Sequence, residues 1–158
     1  MCIPPTSGSS FTSEVAYSPE RIHAAAVYCS DGRVGDQFDD FLHNGLSLPR
    51  YDRLALPGGP ASLAGHTEAH ITERGIVDEL KFLVEAHELD RVVLIAHQGC
   101  AFYSVRLKLP EPYLEHQQRI DLLKAKQFVR EITGLEKIET FYARRENDKV
   151  SFEIVEMP

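Results

Sequence analysis

The apolar positions of the chain fall into five short runs and three amphipathic stretches. Val92 to Ala96 is unbroken and rich in Val and Ile, which predicts a strand buried on both faces. His23 to Cys29 repeats the arrangement with smaller side chains and predicts a second buried strand. Tyr51 to Leu56 is shorter and less apolar, so it belongs nearer an edge. It runs into Pro57-Gly58-Gly59-Pro60, expected as a tight loop with exposed backbone. Ile138 to Ala143 and Val150 to Val155 predict two more strands, joined by Glu146-Asn147-Asp148-Lys149. In the last strand Val150, Phe152 and Ile154 alternate with Ser151 and Glu153, so one of its faces should be wet.

Helical spacing separates these runs. Phe38, Phe41 and Leu42 share one face of a short helix opened by Gly35 and stopped at Asn44-Gly45. Ile76, Leu80, Leu83 and Val84 mark the buried face of a long helix over about 67–89. Residues 101–107 allow one or two helical turns before Pro110-Glu111-Pro112 breaks the chain. Leu122, Ala125, Val129 and Ile132 share a face of the next helix, about 113–133, with Gly134 as its stop. The order β-α-β-α-β-α-β-β predicts a single α/β domain with a mostly parallel sheet flanked by helices. Right-handed crossovers give strand order 2-1-3-4, with strand 5 as a C-terminal antiparallel edge. Strands 1 and 3 are then neighbours, and their carboxyl ends form the crevice where such sheets bind ligands. Residues 1–22, rich in Pro, Ser and Thr, read as an N-terminal arm on a domain spanning 23–158.

Composition narrows the function. The chain has 158 residues, 43% hydrophobic and 26% charged, enough for one domain with a full core. The formal charge of −7 and the lack of a basic cluster argue against nucleic acid as a partner. No apolar run approaches a membrane span, and the opening residues do not resemble a secretory signal. A cytoplasmic protein with a small-molecule substrate is the expectation. Three cysteines, Cys2, Cys29 and Cys100, do not form a disulfide framework.

Cys29 and the pair His97 and Cys100 sit at the ends of the two neighbouring strands. Two thiolates and an imidazole are soft ligands that suit zinc. Three protein ligands leave a fourth position for water, the pattern of catalytic rather than structural zinc. Two thiolates cancel the metal charge and leave it a modest Lewis acid, so a polar assistant matters. Asp31 and Arg33 follow Cys29 on the same turn. A guanidinium that grips both oxygens of Asp31 would keep the carboxylate off the metal and ionised. It could then accept a hydrogen bond from zinc-bound hydroxide, the nucleophile.

Cys29-Ser30-Asp31-Gly32-Arg33 followed by His97-Gln98-Gly99-Cys100 resembles the Cys-x-Asp-x-Arg and His-x-x-Cys motifs of the β-class carbonic anhydrases. The order of elements over about residues 23–155 is similar as well. The resemblance implies zinc-dependent hydration of carbon dioxide to bicarbonate, with Cys29, His97 and Cys100 as ligands and Asp31 with Arg33 as the catalytic dyad. It implies a homodimer or higher homo-oligomer with the active site near the subunit interface. The arm reads as a loosely held terminus or, alternatively, as a segment packed on a partner subunit, since Phe11, Val15 and Tyr17 have no obvious intrachain home. The resemblance also implies a substrate pocket that includes Gly58, Gly59 and Ala101. Here the chain departs from the family. Ala101 stands where a glycine is usual, and Pro57-Gly58-Gly59-Pro60 where Arg-Asn-Ala-Gly is usual.

That departure keeps two alternatives open. One is a carbonic-anhydrase-like zinc protein that has lost turnover and serves as a binding or regulatory module. The other is a zinc hydrolase of another small linear molecule, such as carbon disulfide or carbonyl sulfide. The Cys-x5-Arg spacing from Cys100 to Arg106 suggests a phosphatase loop, but its intervening residues are bulky and lack glycine. His66 and His70 are candidates for a proton relay at the pocket mouth, against the plainer reading of solvated residues at a helix start. His23, His43, His87 and His116 read as surface residues, Tyr28 as core, Gly32 as a turn residue and Cys2 as a bystander.

Overall fold

Alternation along two central strands decides how the layers assemble. The structure, a computed structural model, describes residues 8 and 10–158. The strands β1 (Ala24–Cys29) and β3 (Arg91–His97) pair in parallel, with Ala24 opposite Arg91 and Tyr28 opposite Ile95. Ala25, Val27, Val92, Leu94 and Ala96 point to one face. There they meet Ile76 and Leu80 of one long helix and Leu122, Ala125 and Val129 of another. Ala24, Ala26, Tyr28, Val93 and Ile95 point to the other face, against Phe38 and Leu42. Both strands are therefore buried on both sides, as their unbroken apolar runs predict.

The helices are α1 (Gly35–Asp40), α2 (His70–Ala86) and α3 (Leu114–Thr133). With β2 (Asp52–Leu56), β4 (Lys137–Glu146) and β5 (Lys149–Ile154), the sheet has the order β2-β1-β3-β4-β5. Only the β4–β5 pair is antiparallel. This single α/β domain matches the predicted topology, with β2 and β5 at the edges. After α1 the chain widens through Gly45, where the Leu46 N–H reaches the Phe41 carbonyl at 2.9 Å. Thr67–Ala69 forms a separate 3-10 turn, so α2 begins later than its periodicity suggests. Gly134 ends α3 at φ +73°, its N–H bonded to the Arg130 carbonyl at 2.9 Å.

Two expectations fail for physical reasons. The Pro57–Pro60 segment does not expose its backbone. Gly58 through Leu63 are buried, with Gly59–Leu63 wound into a 3-10 turn. Gly59, at φ +51°, lies so close to β1 that a Cβ there would stand 2.6 Å from the Tyr28 carbonyl carbon. The glycines serve a close approach rather than a surface turn. The alternation of β5 also breaks at its end. Phe152 packs face to face on Phe41 with centroids 4.0 Å apart, but Ile154 is 66% exposed and Val155 is buried. The chain is pulled back there because the Val155 N–H bonds the Thr140 carbonyl at 2.9 Å and its own carbonyl accepts from the Thr140 hydroxyl.

Residues 10–22 contain no helix or strand. Phe11, Val15 and Tyr17 in this stretch are 82%, 84% and 90% exposed. Cys2 lies outside the described residues. Among the described residues no helix is long and apolar enough to cross a membrane.

Leu94 is fully buried at the centre of the sheet. Leu94→Ala should cost about 2–5 kcal/mol, the usual range for a buried leucine that leaves a cavity. Denaturant unfolding of the variant beside the parent protein measures this; a loss under about 1 kcal/mol would contradict the described core.

Candidate metal centre

The two central strands end at different heights and on different faces. Cys29 closes β1 as the next residue in the Ala25, Val27 series, on the α2/α3 side. His97 closes β3 as the next residue after Val93 and Ile95, on the α1 side, with its ring 6.1 Å from Phe38. Cys100 follows through the turn at Gly99, where φ is +76°. All three side chains are buried, and their ligand atoms lie within 4.8 Å of one another. The Cys29 and Cys100 sulfurs are 3.8 Å apart. Tetrahedral zinc with metal–sulfur bonds of about 2.3 Å requires a sulfur–sulfur edge of about 3.8 Å. The spacing therefore fits.

His97 is oriented for the same task. Its Nδ1 lies 3.0 Å from the Gln98 carbonyl oxygen, which can only accept, so Nδ1 carries the proton. That leaves Nε2 with its lone pair, buried and without a partner. An orphaned buried nitrogen beside two sulfurs is what a ligand set presents before its ion is added. A second side chain steadies the turn: Gln118 of α3 donates to the His97 carbonyl at 2.7 Å.

The sulfurs are electronically prepared. The Cys29 thiol is held down by the hydrogen bond from Cys100, assisted by the main chain at Gly58 and Asp31, against the opposing effect of burial. Cys100 is pushed up by the same hydrogen bond, by burial and by the negative charge on Cys29. The hydrogen bond between the two sulfurs places one proton between them. A soft cation that displaces this proton relieves the arrangement.

Asp31 and Arg33 pair on the turn after β1. Arg33 Nε donates to Asp31 Oδ1 at 3.0 Å and to Oδ2 at 3.2 Å, and Nη2 donates to Oδ2 at 2.6 Å. The Arg33 main-chain N–H adds a bond to Oδ1 at 3.0 Å. These bonds, led by the guanidinium, hold the Asp31 carboxyl well below the usual carboxylate range. Asp31, Arg33 and His97 line one wall of a cavity of about 260 Å³.

The remaining candidates sit elsewhere. Gly58 and Gly59 are buried, with Gly58 so close to Phe102 that a Cβ would stand 2.6 Å from its ring. Ala101 is exposed. None of the three lines the cavity beside the dyad. His66 Nε2 lies 2.5 Å from Asp121 Oδ2, and His70 Nδ1 lies 2.9 Å from the Thr67 carbonyl. Neither faces that cavity. Arg106 places its guanidinium 5.3 Å from the Phe102 ring centre.

Sequence reasoning missed the support behind the cluster. Asp121 is fully buried and accepts from the Tyr103 hydroxyl at 2.7 Å and from Gln117 at 2.8 Å, besides its contact with His66. The network ties α3 to the segment that follows Cys100. The available signal was two polar residues, Gln118 and Asp121, on the otherwise apolar buried face of α3.

The fold class is α/β, a mostly parallel sheet with a Cys-His-Cys cluster that could hold a metal ion and an Asp–Arg pair at its switch point. A family model described as "Putative carbonic anhydrase" matches residues 20–156. The chain belongs to this carbonic anhydrase family. The fold agrees with the β-carbonic anhydrase isoform I of Trichomonas vaginalis, at TM-score 0.56 and 17% identity over 92% of this chain and 88% of that one. The β-carbonic anhydrase CafA of Aspergillus fumigatus is similar at TM-score 0.49 and 15% identity, over 88% of this chain and 78% of that one. No curated protein matches significantly.

Protein purified without added zinc should carry about one ion per chain, read by elemental analysis. His97→Ala and Cys29→Ser should each lose most of it, since two remaining ligands hold zinc poorly. Full zinc in either variant would contradict this ligand set.

Proposed function

We propose that the protein hydrates carbon dioxide to bicarbonate at a zinc ion held by Cys29, His97 and Cys100. The observation that carries this reading is the free, buried Nε2 of His97 beside two sulfurs at the spacing of a zinc tetrahedron. Family membership and the β-carbonic anhydrase fold support it. Zinc, when bound, acidifies a water so that it can act as a nucleophile near neutral pH. The chain supplies the rest. Asp31 stays ionised because Arg33 occupies both of its oxygens, and it serves as a hydrogen-bond acceptor that aligns the attacking water. Arg33 fixes the direction of that acceptor and restrains it from turning onto the metal. Burial of the sulfurs and of His97 keeps bulk water off the ligand bonds.

The cavity beside the dyad is polar, with Asp31 and Asp148 on it as well as cations. It carries Arg33, Arg145 and Lys149 among its charged groups, together with the amides of Gln37, Gln98 and Asn147. Such a lining suits an anionic product like bicarbonate.

The pH dependence follows from the dyad. A carboxyl held below its usual range is ionised throughout neutral and alkaline pH, so Asp31 contributes no step there. A rise in rate from neutral to alkaline pH is then assigned to the water rather than to ionisation of Asp31. Stopped-flow hydration over a pH series should show that rise. Asp31→Ala should lower turnover roughly 10²–10⁴-fold, the range for losing a positioned acid–base group, while retaining zinc. Arg33→Ala should retain zinc and lose most activity at neutral pH. A zinc-loaded parent protein that is inactive at every pH would defeat the hydratase reading. An active parent with a fully active Arg33→Ala would defeat the role of the dyad alone.

We also propose that residues 1–22 act as an arm on a homodimer or larger assembly. Phe11, Val15 and Tyr17 are exposed, and Leu123, Phe128 and Met157 line an apolar groove beside α3. Leu123 and Phe128 also pack on the core, whereas Phe11, Val15, Tyr17 and Met157 are largely exposed, which suits a partner surface. Light scattering at micromolar concentration should give at least twice the chain mass of 17.8 kDa. A clean monomer would contradict the proposal.

A further inference from the structure

The outer side of α3 carries a hollow of its own, away from the candidate ligands. It measures about 580 Å³, and Leu123, Phe128 and Met157 give it an apolar floor. None of these residues lines the cavity beside Asp31. Leu123 and Phe128 are half-buried and pack on the core, while Met157 is 79% exposed. A neighbouring hollow of about 380 Å³ is lined by Leu63, Ala64 and Gly65, with Glu73 of α2 beside them. The two hollows share Lys124 and Phe128, so together they form one elongated trough. Gly65 leaves it open there, with no atom within 4 Å of where a Cβ would stand.

Cations gather at one end. Lys124, Lys126 and Arg130 line the first hollow, with Glu131 as the acid among them. Lys124 and Lys126 have no ion-pair partner among the described residues. Arg130 Nε lies 3.8 Å from Glu136, whose side chain is 90% exposed. Glu131 already accepts from the Gln127 amide at 2.9 Å. Three cations against one acid make this rim positive in a chain of formal charge −7. The second hollow carries Glu73 instead, so an anionic group belongs in the first.

We propose that this trough binds the anion of a free fatty acid of medium chain length. Its carboxylate sits among Lys124, Lys126 and Arg130, and its tail runs over Phe128 towards Leu63. An apolar floor beside a positive rim matches a ligand with the same two parts. Burial of methylenes supplies the affinity, and the cations fix which end carries the carboxylate. A peptide segment suits this surface less, because its backbone N–H and C=O groups need partners. The helix beneath has already bonded its own backbone groups to each other. An acyl chain makes no such demand. Bicarbonate and other small anions have no apolar part to lay on Phe128 and Met157. The inference depends on neither a bound metal nor hydration of carbon dioxide.

The test titrates nitrogen-15-labelled protein, with its metal as purified, with sodium decanoate below the concentration at which micelles form. Amide signals of Gly65, Gln127 and Met157 report the trough, and light scattering on the same samples reports the assembly. Decanoate should give saturable shifts at these residues with one site per chain. Butanoate should bind far more weakly, since each buried methylene is worth about fourfold in affinity. Decylamine has the same tail and the opposite charge, and it should bind roughly tenfold more weakly than decanoate. Met157→Asp, at an exposed position, should weaken decanoate roughly tenfold by setting a charge against the tail. Lys124→Glu combined with Lys126→Glu should erase the preference for decanoate over decylamine. Dispersed spectra of each variant confirm that it folds. The inference falls if decylamine binds as well as decanoate, if chain length has no effect, or if both variants bind as the parent does. It falls as well if decanoate does not bind while phosphatidylglycerol vesicles take up the protein, which would make this face a membrane surface. Binding that appears only after residues 1–16 are deleted would assign the trough to the arm of this or a second copy, and would overturn it too.

Discussion

The parallel pairing of β1 with β3 is the constraint on which the rest depends. Its register, Tyr28 opposite Ile95, brings Cys29 and His97 to the top of the sheet from opposite faces. A slip of one residue would exchange the faces of every side chain in β1 and aim Cys29 away from the cluster. The register is secured by burial on both sides. Ala25 and Val27 fit only beneath α2 and α3, and Ala24, Ala26 and Tyr28 only against α1. The geometry of the candidate ligands is thus a consequence of core packing, with Cys29 and His97 closing the two strands and Cys100 following through the turn at Gly99.

Around that frame the chain places restraints of three kinds. Close backbone approach at Gly58 and Gly59 seats a buried turn against β1 and Phe102. Hydrogen bonds orient His97, through the Gln98 carbonyl on its ring and Gln118 on its backbone. Charge sets protonation, with the guanidinium of Arg33 on Asp31 and the shared proton of the two thiols. Each restraint acts on a different atom, so each fails separately. Loss of a ligand should release zinc, whereas loss of Arg33 should release only the direction of a carboxylate.

Sequence periodicity carried the sheet order and the three helices, because strands buried on both faces and helices buried on one leave different periods. It carried the ligand and dyad candidates because strong residue types fell at strand ends. What it could not carry depended on contacts between distant segments. Pro57-Gly58-Gly59-Pro60 has the composition of an exposed turn, and only its partners Tyr28 and Phe102 reveal a buried one. Val155 turns inward because Thr140 holds it, which no pattern within β5 records. Asp121 and Gln118 look like ordinary polar positions until α3 is docked behind Cys100.

The central claim is that two sulfurs and one imidazole nitrogen from these strand ends hold a zinc ion. X-ray absorption at the zinc edge of the protein as purified tests it without reference to activity. The account predicts two sulfurs at about 2.3 Å, with lighter atoms at about 2.0–2.1 Å completing four-coordination. A shell of nitrogen and oxygen alone, or of four sulfurs, would contradict it.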